Sequence, residues 1–155
     1  MFKVAIVVLS LIYSINANFW TPCSDHPNAV APRQIISAAC PPGGTHCTAT
    51  RGQVLEADAY VTPVTAHNYL RVTVTAYVLG IGIDLPPVDD DACNGMFLPD
   101  GSFHGCPTAP GIEHVWKINV DVNPNFPAFQ NTRVRFALLE GGSVVGCADV
   151  MANLL

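Results

Sequence analysis

Residues 116–122 read Trp116-Lys117-Ile118-Asn119-Val120-Asp121-Val122. Trp116, Ile118, Val120 and Val122 fall on one parity, and Lys117, Asn119 and Asp121 on the other. A pleated strand with one face on a core and the other in water requires this twofold alternation. The stretch runs into Asn123-Pro124-Asn125-Phe126-Pro127, where two prolines end any regular pairing.

The same period recurs on both sides of it. In Val54 to Val61, the apolar Leu55, Ala57, Ala59 and Val61 alternate with Glu56, Asp58 and Tyr60. In Arg133 to Leu138, Val134, Phe136 and Leu138 oppose Arg133, Arg135 and Ala137. From Arg71 the even positions Val72, Val74, Ala76 and Val78 are apolar. Beyond Gly80 the apolar parity passes to Ile81, Ile83 and Leu85, a switch that a β-bulge near Gly80 permits. A first strand around Gln34 to Ala38 and a last around Val144 to Met151 bring the total to about six to seven short strands separated by turn residues. That spacing predicts an all-β sandwich. With 13 prolines and 12 glycines, no segment keeps a 3.6-residue apolar period for three turns, so helix is expected to be minor.

Met1, Lys3, the apolar run Val4 to Ile15 and the small residue Ala17 have the form of a secretory signal, so residues 1–17 are expected to be a signal peptide and 18–155 one secreted domain. The run is broken by Ser10 and Ser14 and is short for a membrane span of about 20 residues. The chain carries a net charge of −5, and −6 once Lys3 is removed. A nucleic-acid partner is therefore not expected, since it demands a basic stripe. Half of the residues are hydrophobic and only 12% charged, so the apolar excess must fill a core or face a ligand.

Six cysteines in a chain bound for the secretory pathway point to disulfides. They allow 15 pairings, and spacing alone does not choose among them. Cys40 and Cys47 do flank a turn-forming loop, Pro41 to His46, and Cys93 and Cys106 flank another rich in Gly and Pro.

From about Cys23 to Met151 the sequence resembles the ML lipid-recognition domain, within it the Niemann-Pick type C-2 branch that includes arthropod secreted carriers and mite group two allergens. The block Val78-Leu79-Gly80-Ile81-Gly82-Ile83-Asp84-Leu85-Pro86-Pro87-Val88, followed by Cys93 and by Gly105-Cys106-Pro107, carries most of the likeness. The strand Trp116 to Val122 with Phe126-Pro127 carries the rest. The resemblance implies an immunoglobulin-like β-sandwich with a lipid cavity between its sheets, and pairings Cys23–Cys147, Cys40–Cys47 and Cys93–Cys106. It implies ligand contacts from Ile83 and Leu85 on one rim and Val122, Phe126 and Pro127 on the other. Trp116 and Phe136 would lie deeper, with Tyr77 as a further position. The implied partners are a sterol or fatty acid and a membrane receptor or transporter that accepts it, with the carrier a monomer. Three features depart from the family pattern. Asp84 stands where an apolar residue or proline is usual and suggests a ligand with a polar head. The loop Asn94 to Gly105 is long, and its Met96, Phe97, Leu98 and Phe103 could form a lid. No Asn-X-Ser/Thr sequon is present, which argues against lysosomal sorting by an N-glycan and for the extracellular space.

The residues also limit what else the chain can do. Alternating apolar positions suit a filled core as well as a cavity, which on the carrier reading would measure on the order of 300 to 1,000 Å³. His26, His46, His67, His104 and His114 have no metal-binding spacing and are expected at the surface in turns, so neither metal nor cofactor is expected. Gly141-Gly142-Ser143 is not a nucleophile elbow, and no phosphate-binding glycine loop is present, so the chain is not expected to be an enzyme. Asp89-Asp90-Asp91 lacks the glycine and glutamate of a calcium loop; a solvated loop or a partner-docking surface is expected there. The alternative to a carrier is an extracellular interaction module, in innate immune lipid recognition or semiochemical carriage.

Overall fold

A computed structural model describes residues 19–155; the expected signal peptide lies outside the described residues. Ten strands form two sheets. The strands are β1 (Trp20–Pro22), β2 (Gln34–Ile36), β3 (Cys47–Ala49), β4 (Val54–Val61), β5 (Arg71–Val78), β6 (Ile81–Asp84), β7 (Met96–Phe97), β8 (His114–Asp121), β9 (Phe129–Glu140) and β10 (Ser143–Leu154). One short 3-10 turn, Ala92–Gly95, is the only helical element among the described residues. The six-stranded sheet runs β1-β10-β9-β5-β6, with β3 beside β1 on the same edge of β10. The four-stranded sheet runs β2-β4-β8-β7. The pairings are antiparallel except that of β3 with β10. The expected sandwich is therefore present, with more strands than the sequence predicts. The extra ones, such as β1, β3 and β7, are two or three residues long, too short to show an alternation.

The inner faces are the apolar parities of the sequence. Ala59 and Val61 of β4, Val72, Val74 and Ala76 of β5, Trp116, Ile118 and Val120 of β8, and Val134 and Leu138 of β9 are buried in one core. Removing the valine, isoleucine and leucine side chains among them from water stabilises the fold by about 1.5–3 kcal/mol each.

The parity switch after Val78 has a different cause from the expected bulge. Val78 pairs with Ile81 and Ala76 with Ile83, so β5 and β6 form a two-residue hairpin with Leu79 and Gly80 at the turn. Their φ values are 50° and 81°, the left-handed region that such a hairpin demands at both positions. A two-residue turn pairs residues three apart, and hence an even with an odd position. Leu79 bears its side chain in this strained conformation almost fully in water, 97% exposed.

The outer face of β9 is also covered. Cys23 bridges to Cys147 and brings residues 23–29 over β9 and β10, where Ala137, Ala29 and Leu139 pack against the disulfide. Arg135, on the polar parity, becomes a buried residue. Its Nε and Nη2 donate to Asp149 on the facing strand at 2.8 and 3.0 Å, and its Nη1 and Nη2 donate to Asp25 at 2.8 Å each. The other disulfides join Cys40 to Cys47 and Cys93 to Cys106, the pairing the family resemblance implies.

Two histidines depart from the expected surface positions. His67 is buried, its Nδ1 2.7 Å from Glu140 Oε2 and its Nε2 3.4 Å from Thr65 Oγ1. His114 is wholly inaccessible (0% exposed). Its Nδ1 donates to the Ile112 carbonyl at 2.8 Å and its Nε2 accepts from the Ala109 N–H, while the His104 ring stacks edge-on at 4.8 Å. The Gly- and Pro-rich segments that read as exposed turns fold back over the end of the sandwich and cover both rings.

Burial pushes the His114 imidazole below its ordinary range, opposed by the Ile112 carbonyl and reinforced by His104. A base held neutral in the fold but free to charge when unfolded favours unfolding under acid. The stability it confers is whole above about pH 6.5 and is lost as pH falls below that toward the lower folded value. Urea unfolding at stepped pH is expected to show a loss of up to about 1.4 kcal/mol per pH unit just below 6.5 that His114→Gln removes. An unchanged slope in the variant would assign it elsewhere.

Candidate ligand-binding site

Between the sheets the core leaves space in two lobes. The first, about 50 Å³, is bounded by Leu55 of β4, Leu85 after β6, Val120 of β8 and Val122 just after it, Phe129 and Val134 of β9, Val150 and Ala152 of β10, and the Cys40–Cys47 disulfide. The second, about 30 Å³, lies between Trp116, Ile118, Ala59 and Val61 on one sheet and Leu138 and Ala148 on the other. Ile35, Ala57, Phe136 and Val150 wall both lobes and form the septum between them.

Strand geometry places these side chains. The odd register of β4 and the even registers of β8, β9 and β10 send most of them inward, the alternation read from the sequence; Phe129, on the odd register, lies beyond the irregularity between Ala152 and Leu154. No buried side-chain nitrogen or oxygen lacks a partner among the described residues. The first lobe exposes no polar surface, although Ser37 and Asn153 adjoin it. Ser37 Oγ donates to the Glu56 carbonyl and accepts from the Ala39 N–H, while Asn153 Oδ1 accepts from the Asn131 N–H. The interior therefore offers shape and dispersion contacts and no free hydrogen-bonding group.

The first lobe opens sideways. β2 pairs with β4 only at Asp58, Ala59 and Tyr60, so the half of β4 from Val54 to Ala57 has no strand on that edge. A groove of about 550 Å³ runs along it between residues 36–39 and 48–50, sharing Ser37, Ala49, Leu55, Ala57 and Val122 with the first lobe. On the other side the sheets are joined by the crossing from β6 to β8, where Val88 N–H donates to the Asn119 carbonyl.

Of the positions implied by the family resemblance, Leu85, Val122, Trp116 and Phe136 line the lobes. Ile83 and Phe126 are half-buried outside the lining, and Pro127 is exposed. Tyr77 faces away from the cavity. It lies on the outward parity of β5, with Arg133 stacked 4.1 Å over its ring. Asp84 also points outward and accepts from Thr75 Oγ1 at 3.2 Å, so it sets no preference inside a portal. The loop Asn94 to Gly105 is not a lid. Met96 pairs with Trp116 and is buried in the core, Phe97 extends the sheet edge, and Phe103 stacks on Phe97 at 5.6 Å. Asp91 caps the 3-10 turn by accepting from the Cys93 N–H, and Asp89 accepts from Asn94. Their carboxylates thus shape their own loop. Sequence reasoning missed Phe19, Ile35 and Phe129 as cavity walls. Each belongs to a strand end or isolated apolar pair, where no period marks the facing side.

The ML domain family matches residues 17–154, and the chain belongs to it. This places it among lipid-binding proteins. Mite group 2 allergen Eur m 2 of Euroglyphus maynei is 26% identical over 116 residues, covering 75% of this chain and 74% of the allergen. A crystal structure of a Niemann-Pick type C2 protein from Japanese carpenter ant superposes with a TM-score of 0.72 at 18% identity, over 88% of this chain and 98% of that one.

Proposed function

We propose that this protein is a secreted, non-enzymatic carrier that holds a sterol- or fatty-acid-like molecule between its sheets and delivers it to a membrane receptor or transporter. The observation that carries the reading is an interior with no free polar group that opens through a side groove, in a chain of the ML domain family. Lobes of about 50 and 30 Å³ are far below the ~300 Å³ of a small-ligand site. Uptake therefore requires the unpaired edge of β4 to move away from β3 and Phe136 to leave the septum. Moving Phe136 breaks apolar contacts, and the side-chain bond at the β4 edge, from Ser37 Oγ to the Glu56 carbonyl, is exposed, so neither motion leaves a buried polar group unpaired.

The small lobes also favour a second reading, an interaction module with a filled core. Solvent extraction of the secreted protein followed by mass spectrometry separates the two. A carrier is expected to yield lipid in a fixed ratio to protein and to bind a fluorescent sterol or fatty acid. Absence of lipid together with no binding of either probe would overturn the carrier reading. The Thr65–His67–Glu140 array has the order of a catalytic triad, but Thr65 Oγ1 lies 3.4 Å from the ring and the array pins residues 65–68 to the end of β9.

A further inference from the structure

Resting on the carrier reading, we infer that the side groove reads the head of the bound lipid and selects a neutral or cationic head over a carboxylate. Because the surface of the first lobe is wholly apolar, a polar head drawn into it would lose its water and gain no partner. The tail therefore occupies the lobe, and the head stays where the lobe meets the groove.

The junction itself is uncharged, and the charges along the outer part of the groove, on the outward parity of β4 and β8, are unequal. Glu56, Asp58 and Lys117 are the ionisable groups that line the groove. Lys117 Nζ lies 3.3 Å from both carboxylate oxygens of Asp58 and 5.6 Å from the Phe97 ring centroid, so its charge is already matched. Glu56 has no such partner among the ion pairs of the described residues. Arg51 does not line the groove, and its guanidinium donates to the Phe126 carbonyl at 3.3 Å. A carboxylate head would meet a like charge and, among the residues that line the groove, no cation without an ion-pair partner. A hydroxyl finds Gln53 and Thr50 as partners, and an ammonium finds Glu56.

The test displaces a bound uncharged fluorescent probe from the whole secreted protein with dodecanol, dodecylamine and dodecanoate, at about pH 8 and low salt, where the acid and amine are ionised. The alcohol and amine are expected to compete at least about fivefold better than the acid, with the gap narrowing as salt screens the groove. Glu56→Lys is expected to bring the acid level with the alcohol or above it, and Arg51→Gln to leave the order unchanged. Dodecanoate competing equally well in the wild type, a loss of its binding in Arg51→Gln, or an unaltered order in Glu56→Lys would overturn the inference while the carrier reading stands. Failure of the probe to bind at all would remove both.

Discussion

Arg135→Met is expected to lower the unfolding free energy by about 3–5 kcal/mol at neutral pH, because it removes one partner of a buried ion pair and leaves the other. Arg135 and Asp149 have side chains 10% and 9% exposed, and two parallel N–H···O bonds join them across β9 and β10. In the variant Asp149 keeps only Arg133 at 3.7 Å and the Cys23 sulfur at 3.7 Å. Neither replaces a bidentate guanidinium. Arg135 also clamps Asp25, so the covering segment 23–29 loses its side-chain tether to β9 and is held by the Cys23–Cys147 disulfide and by the pairing of its flanks, Trp20–Pro22 and Val30, with β10. The double variant Arg135→Met/Asp149→Leu is expected to be more stable than Arg135→Met, since an apolar pair of similar size needs no desolvation of charge. Urea unfolding of the three proteins measures this. A cost below about 1 kcal/mol for Arg135→Met, the range of an exposed pair, would mean that water screens the network.

Sequence alternation reported one face of each strand well and the other poorly. For β4 and β8 it identified the inner residues because their outer faces meet water, so polar and apolar positions segregate by parity. For β9 it identified Val134, Phe136 and Leu138 but left Arg135 outside, since what covers Arg135 comes from residues 23–29, over a hundred positions earlier. No local pattern encodes that contact. The turn at Leu79-Gly80 shows a second limit. A bulge and a two-residue hairpin produce the same switch of apolar parity, and the Asn-Gly or Gly-Gly signal that would favour a hairpin is replaced by Leu-Gly. At Glu140 to Ser143 the signal is present as Gly141-Gly142, with φ of 55° and 85°.

The site was legible in part for a related reason. Leu85, Val122, Trp116 and Phe136 follow from parity together with the family resemblance. The septum residue Ile35 and the groove along β4 depend on where β2 stops pairing, and strand ends are set by tertiary contacts more than by composition. Histidines in Gly- and Pro-rich segments read as exposed because loop composition reports backbone shape and not what packs over it.

Ala57→Phe is expected to reduce binding of a fluorescent lipid by about a hundredfold, or about 2.7 kcal/mol, with the fold retained. Ala57 walls both lobes and the groove, so it stands on every path from the side opening to the interior. Its partner across the sheet is Ile118, and its Cβ points at the septum beside Ile35 and Phe136. A phenyl ring there extends from the septum into the adjoining lobes, in contrast to an ordinary packed position, where added bulk strains the core by about 1–3 kcal/mol. Thermal melts are therefore expected to lie within a few degrees of the wild type while binding is lost. Ile118→Asp, which puts a charge on the same buried face, is expected to lower melting temperature and binding together. If Ala57→Phe melts as early as Ile118→Asp, the space at the septum cannot admit a ring and the sandwich is filled. If Ala57→Phe melts normally and still binds lipid, the ligand does not pass between the sheets, and the path from groove to lobe is not the one in use.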